Sequence, residues 1–287
     1  VKHLSVAPGA RIVADGLGYP GGTAAEPYSP ALLAGYSGGS HGGLGGSEAA
    51  GNTAALPYGL LEFPNLPGGG SSNANGGSGG GIVTIHAEQT VTIKGVLSAN
   101  GEDDLEGGGA GGTIRIHSPS LLGDGQISAN GGSGGSYNCG FMCGGISGSG
   151  SGGRIAILEV ANWSGAFTEA SAHAGLSATG GGGEQPGGAG TILMKSVGQS
   201  YGDLLVDNGG VDAGLNSTPL VTMPTGTIIG INEDTITVSE PLEPDRYAGY
   251  LVNVGPGAGG PGLLDDAIYA VASNDVVEFT VADGVDL

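Results

Sequence analysis

Hydrophobic and polar residues alternate with a period of two in four short segments, each entered through glycine: Ile82-Val83-Thr84-Ile85-His86, Thr113-Ile114-Arg115-Ile116-His117, Arg154-Ile155-Ala156-Ile157-Leu158 and Thr191-Ile192-Leu193-Met194-Lys195. That period, carried by β-branched residues, predicts strands with one buried face. A second pattern, Leu97-Ser98-Ala99-Asn100-Gly101 and Ile127-Ser128-Ala129-Asn130-Gly131, follows the first two at a near-constant distance. It is echoed by Ile12-Val13-Ala14-Asp15-Gly16 and Leu205-Val206-Asp207-Asn208-Gly209, with a degenerate copy near Ala170-Ser171-Ala172-His173. A strand, a short link, a second strand and a Gly-rich stretch therefore recur as one unit, offset by 31 residues from Ile85 to Ile116 and by 30 from Ala99 to Ala129.

Asn-Gly between alternating segments ordinarily marks a type I′ hairpin. Here no strand follows Asn100-Gly101 or Asn130-Gly131, only Gly, Ser and acidic residues in stretches of variable length. Equivalent strands returning after long connections stack parallel on their predecessors. The expected fold class is thus all-β: a right-handed parallel β-solenoid with long Gly-rich loops over residues 1–218. Val83, Ile85, Ala87, Ile114, Ile116, Ser118, Ile155, Ile157, Ile192 and Met194 are expected to point inward. Asn100, Asn130 and Asn208, with His173 on the degenerate rung, are expected to form a structural ladder of amides at one corner. Glycine serves close approach between coils and left-handed corners.

The spacing breaks between Gly16 and Gly81. The excursion over residues 17–80 is too long for a plain connection and is expected to fold on the solenoid flank or over its N-terminal end. After Thr218 the Gly content falls and ordinary strands are expected at Gly226–Ile231, Thr235–Ser239, Gly249–Asn253, Ile268–Ser273 and Val276–Val281. Residues 219–287 accordingly read as a small antiparallel module of sandwich or barrel type.

Composition changes the picture in two respects. Sixty-five Gly and 15 Pro in 287 residues suggest low complexity, yet 38% hydrophobic residues supply a core, and with 5% aromatics that core is thin and regularly layered. The net charge of −20 excludes nucleic acid and anionic lipid as partners, because seven cations spread from Lys2 to Arg246 assemble no basic patch. No apolar run approaches the ~20 residues of a membrane span, and the start at Val1 reads as a mature or excised piece of a secreted precursor.

Candidate chemistry is sparse. Cys139 and Cys143 read as a loop-stapling disulfide or as two buried thiols. Asp103, Asp104 and Glu106 could hold Ca2+, the one cofactor considered, or serve as a solvated turn, since their spacing lacks the order of known calcium loops. His86 and His117 stand one coil apart, as a two-imidazole metal site without a third ligand or as a polar face. His41, between glycines, suits packing and hydrogen bonding. Tyr19, Tyr28, Tyr36 and Tyr58 cluster in the excursion, as a glycan-contact surface or as packing. The paired carboxylates of β-helical lyases and hydrolases recur on no strand face, so no catalytic residue is assigned.

Ala14-Asp15-Gly16, Gly38-Gly39-Ser40-His41-Gly42-Gly43, Tyr58-Gly59, the units ending in Ala-Asn-Gly and Gly152-Gly153-Arg154-Ile155-Ala156-Ile157 together resemble the Gly-rich parallel β-helical regions of very large secreted and surface proteins, mainly bacterial. The resemblance covers about residues 1–218. It implies a surface-displayed β-helical module and carries no catalytic residues with it. The expected function is a non-enzymatic, extracellular structural or adhesive module at the cell surface. Its expected partners are neighbouring surface-protein modules or further copies assembling head to tail into a fibre, strengthened by salt or Ca2+. The alternatives are a polysaccharide-active β-helical enzyme and a glycan-binding module.

Overall fold

The computed structural model describes residues 1–23, 35–47, 54–140, 143–171, 173–199, 201–220, 227–232, 235–239, 251–254, 267–274 and 278–281. They are nearly all β, with mostly parallel pairing, two short 3-10 turns and no α-helix among them. No described helix is long and apolar enough to cross a membrane. The chain divides into two compact units, one drawn from residues 1–219 and one of residues 220–287, to which Tyr58–Leu60 are also assigned.

In the first unit the chain visits three parallel sheets in fixed rotation. The first circuit consists of β1 (His3–Val6), β2 (Arg11–Val13) and β3 (Ile82–His86), and the second of β4 (Thr90–Ile93), β5 (Val96–Ser98) and β6 (Thr113–His117). The third has β7 (Ser120–Leu122), β8 (Gln126–Ser128), an antiparallel hairpin of β9 (Ser136–Gly140) and β10 (Cys143–Ile146), and β11 (Arg154–Val160). The fourth has β12 (Asn162–Trp163), β13 (Leu176–Ser177) and β14 (Thr191–Ser196). Sheet A runs β1-β4-β7-β12, sheet B runs β2-β5-β8-β13, and sheet C runs β3-β6-β11-β14 with β15 (Asp203–Leu205) added at its end.

The register carries the hydrophobic pattern from circuit to circuit. Ile85, Ile116, Ile157 and Met194 are successive partners in sheet C, as are Ile12, Leu97, Ile127 and Leu176 in sheet B. In sheet A the column is Leu4, Val91, Leu121 and Trp163. These columns meet in one core, and Val91, Leu97, Ile116, Leu121, Ile127 and Ile157 are fully buried. Each such Val, Leu or Ile contributes about 1.5–3 kcal/mol of burial. The outer face of sheet C is covered as well: Phe63 packs on Ala156, Leu158 and Leu193, and Thr113 Oγ1 donates to the Leu66 carbonyl at 2.6 Å.

Three expectations are corrected. Each circuit has three parallel strands, because Thr90–Ile93 and Ser120–Leu122 form a side of their own, only two or three residues beyond the sheet C strands. The third copy of the sheet B pattern is Leu176-Ser177-Ala178-Thr179, paired with Ile127-Ser128, whereas Glu169–Ser171 make a 3-10 turn. Leu205 belongs to β15, which pairs antiparallel with β14 and so ends sheet C instead of continuing sheet B.

The Gly-rich stretches join sheet B to sheet C and build a second hydrogen-bonded layer, which the alternation pattern does not reveal. Along residues 147–153 the amides of Ser147, Gly150 and Gly153 donate to Gly135, Gly132 and Ala129. Those of Gly148 and Ser151 donate to Tyr36 and Gly39, and those of Ser149 and Gly152 to Gln185 and Gly188. Along residues 108–112, Gly108 and Gly111 donate to Gly148 and Ser151, Gly109 and Gly112 to Glu102 and Ala99, and Ala110 to Gly69. A partner change at every residue with a repeat of three is the geometry of polyproline-II-type helices, which make no internal hydrogen bonds. The glycines here are required for close approach: a Cβ on Gly150 would overlap the Gly109 carbonyl, and one on Gly109 the Ser78 carbonyl. The described part of the excursion packs on this flank, with Gly39 donating to Gly108 and Gly42 to Gly152.

In the second unit β16 (Ile228–Asn232), β17 (Thr235–Val238), β18 (Leu251–Val254), β19 (Ala267–Asn274) and β20 (Glu278–Val281) form an antiparallel sheet in the order β16-β17-β20-β19-β18. Ile236 and Val238 of β17 are buried.

Glycines that look alike in sequence differ in what surrounds them, and this sets up a direct comparison. Gly150→Ala is expected to cost about 1–3 kcal/mol or more, since backbone atoms stand where the methyl must go. Gly182 has open space around its Cβ position and no left-handed φ, so Gly182→Ala is expected to be neutral or to stabilise by up to about 1 kcal/mol. Urea midpoints of the two variants check the contrast.

Candidate functional site

The corner between sheet B and the Gly-rich layer is held by a ladder of side-chain oxygens. Asp15 Oδ1 accepts from the Asn100 amide at 2.7 Å, and Asn100 Oδ1 accepts from the Asn130 amide at 2.8 Å. Asn130 Oδ1 accepts from the Thr179 amide at 3.0 Å and from Ser177 Oγ at 2.7 Å. Asn208, reaching back from beyond β15, accepts from the Gly180 amide at 2.7 Å. Thr179 occupies the rung that lacks an amide side chain. His173 stands elsewhere, with Nδ1 donating to the Phe167 carbonyl at 3.1 Å.

The acidic cluster has the same kind of work. Asp103 Oδ1 accepts from the Ser133 amide at 2.6 Å, Asp104 Oδ1 from the Glu106 amide at 2.8 Å, and Glu102 Oε2 from the Ser78 amide at 3.0 Å. Among the described residues no three His, Cys, Asp or Glu side chains are grouped to hold a metal ion. The carboxylates of Asp103 and Asp104 anchor separate loop amides of neighbouring circuits and turns.

The remaining candidates are dispersed. His86 and His117 are register partners with ring centroids 4.7 Å apart and planes at 73°, so they meet edge to face, and the next residue in that column is the buried Leu158. Tyr58 is buried, which removes it from an exposed contact surface, while Tyr19 and Tyr36 are half-buried and their carbonyls accept from Gly79 and Gly148. Tyr28 lies outside the described residues, as do the side chains of Cys139 and Cys143.

His41 is fully buried in the Gly-rich layer. Its backbone amide donates to Ser151 Oγ at 3.0 Å and its Nδ1 to the Gly111 carbonyl at 2.8 Å. Arg154, also buried, donates from Nη1 to Thr191 Oγ1 at 3.1 Å. Burial, followed by the nearby Arg154 charge, pushes the His41 pKa down to about 3. His41 is therefore a neutral packing and hydrogen-bonding residue.

A cavity of about 410 Å³ opens where the inward columns of the fourth circuit end. Trp163 and Met194 are the last members of the sheet A and sheet C columns, and Phe167, Thr168, His173, Ser196 and Asp203 complete the lining. Trp163 is fixed by its Nε1–H, which donates to Ser196 Oγ at 3.1 Å. His173 adopts a left-handed φ of 54°, a conformation costly for a residue with a Cβ. Neither Trp163 nor His173 stands out in sequence as a site residue; the signal was that Trp163 is the chain's single Trp.

His41 makes stability depend on pH in a definite direction. Above about pH 6.5 the imidazole is neutral in both folded and unfolded chains and contributes no pH dependence. Between pH 6.5 and 3 the unfolded chain binds a proton that the folded chain refuses, so stability falls by about 1.4 kcal/mol per pH unit from this group. The difference in unfolding free energy between the wild type and His41→Gln, measured from pH 8 to 3.5, is expected to change with that slope only below pH 6.5.

Compared with known proteins, the chain matches no family, no curated protein and no solved structure.

Proposed function

We propose that residues 1–218 form a right-handed parallel β-solenoid that serves as an extracellular structural or adhesive module at a cell surface. The observation that carries this reading is the continuity of backbone pairing: three parallel sheets and the Gly-rich layer each link one circuit to the next, and polar side chains reinforce the same links through Asp15, Asn100 and Asn130. Right-handedness is the sense that crossover connections between parallel strands of one sheet adopt in about 98% of cases. A scaffold of this kind extends by repetition and tolerates changes in its connections, which suits display of loops at a surface. A net charge of −20 favours solubility and mutual repulsion in saline surroundings.

Neighbouring surface-protein modules, or further copies, are the partners that fit. Among the described strands of the parallel sheets β1, β2, β3, β12 and β13 each pair on one side only, so the parallel pattern has edges on which pairing can continue. The second reading, a glycan-binding module, draws on the cavity at Trp163.

Antibodies against the chain are expected to label intact, unpermeabilised cells of the source organism, and external protease is expected to release the epitope. Labelling only after permeabilisation would overturn the surface reading. Light scattering of the purified chain across NaCl and Ca2+ series is expected to show particle mass rising with either. Incubation with soluble polysaccharides, with and without Ca2+, is expected to yield no cleavage product.

A further inference from the structure

The link from sheet A to sheet B is tight in the first three circuits, with 4 residues at Ala7–Ala10, 2 at Lys94–Gly95 and 3 at Gly123–Gly125. In the fourth circuit it expands to 12 residues, Ser164–Gly175, containing both 3-10 turns. Three of the residues added by this expansion, Phe167, Thr168 and His173, line the cavity. The one departure from the circuit pattern in these links therefore builds the concave site, and it does so while holding His173 at φ 54°, a strained conformation of the kind that persists where the surrounding structure enforces it.

We propose that this cavity binds one sugar ring of a neutral glycan. The inference rests on the adhesive reading above and deepens it by naming the site and the ligand class. Its volume falls within the ~300–1,000 Å³ of small-molecule sites. Trp163 supplies a flat apolar surface, held in place by Ser196, for the C–H face of a pyranose, and Phe167 adds a second aromatic side chain to the lining. The polar groups are of the complementary kind. Because the Phe167 carbonyl can only accept, His173 Nδ1 carries a proton, and in the neutral ring with that tautomer Nε2 is an acceptor. Asp203 adds an exposed carboxylate, while the Thr168 hydroxyl is engaged with the Gly165 carbonyl and Ser171 and shapes the wall. Acceptors grouped beside an aromatic face match ring hydroxyls, which donate. Lys and Arg are absent from the lining residues, and Asp203 together with the net charge of −20 disfavours uronic, sialylated, sulfated or phosphorylated sugars.

The single Trp makes the test direct, since emission excited at the red edge, where Trp absorbs and the nine Tyr do not, reports on Trp163. The full chain is titrated with glucose, galactose, mannose, fucose and N-acetylglucosamine, with their di- and trisaccharides, and with glucuronic acid and sialic acid as anionic controls. At least one neutral sugar is expected to shift the emission saturably with a dissociation constant on the order of 1 mM. Asp203→Asn, at an exposed position, and His173→Gly, which removes the acceptor while relieving the left-handed strain, are each expected to weaken that binding at least tenfold with an unchanged or higher melting temperature. No response to any neutral sugar at 100 mM, tighter binding of the anionic sugars, or binding unchanged in both variants would each overturn the proposal. Surface labelling of intact cells is read separately, so failure of the cavity and failure of the surface reading give different results.

Discussion

Direct hydrogen bonding between the backbones of Gly-rich segments is the constraint on which the first unit depends. An extended three-fold segment has no internal hydrogen bonds, so once buried every amide must find a carbonyl on a neighbour. The neighbours come within reach only where no Cβ stands between them, as at Gly109, Gly150 and Gly187, each of which faces backbone of another segment. The abundance of glycine is thus a packing requirement. Close approach explains the glycines of residues 147–153 without any left-handed φ, whereas positions such as Gly16 and Gly107 do adopt one. Where a large polar side chain enters this layer, as His41 does, it is dehydrated, bonded to backbone and held neutral.

The hydrophobic interior is the complementary half of the same design. Columns of Ile, Leu and Val rise through three sheets in register, and through the first three circuits a thin core without bulky aromatics suffices because each circuit buries the edge of the previous one. Such a core loses its stacking partner where the columns stop. At the fourth circuit the chain turns away through β15, which covers sheet C only, and larger residues appear: Trp163, Phe167 and Met194. The cavity is a consequence of ending a stacked core, shaped by an enlarged connection.

Acidic side chains take a structural part that their number conceals. Asp15, Glu102, Asp103 and Asp104 each accept from a backbone amide, as Asn100 and Asn130 do from the next circuit. A carboxylate accepting from N–H groups forms a charge-assisted bond, so these residues fasten loops. In sequence the same cluster reads as a calcium site or a solvated turn, because residue type and spacing report which donors are present but not which amides they accept from.

Local alternation placed the sheet C strands Ile82–His86, Thr113–His117, Arg154–Val160 and Thr191–Ser196, with Ile85 on Ile116, and the repeated Ala-Asn-Gly segments placed Leu97 on Ile127 in sheet B. The antiparallel pairing after residue 219 followed from ordinary strand and turn signals in the same way. Sheet A, the third rung at Leu176-Ser177, the antiparallel return of Leu205 and the cavity at Trp163 were decided by tertiary structure. Their strands are two to four residues long, too short for a period to register. The Gly-rich layer was out of reach for a more basic reason: a pattern is written in side chains, and these segments have almost none. Their partners, Ser151 with Gly39 or Gly152 with Gly188, lie some 36 to 112 residues away and are selected only by how closely two backbones can approach.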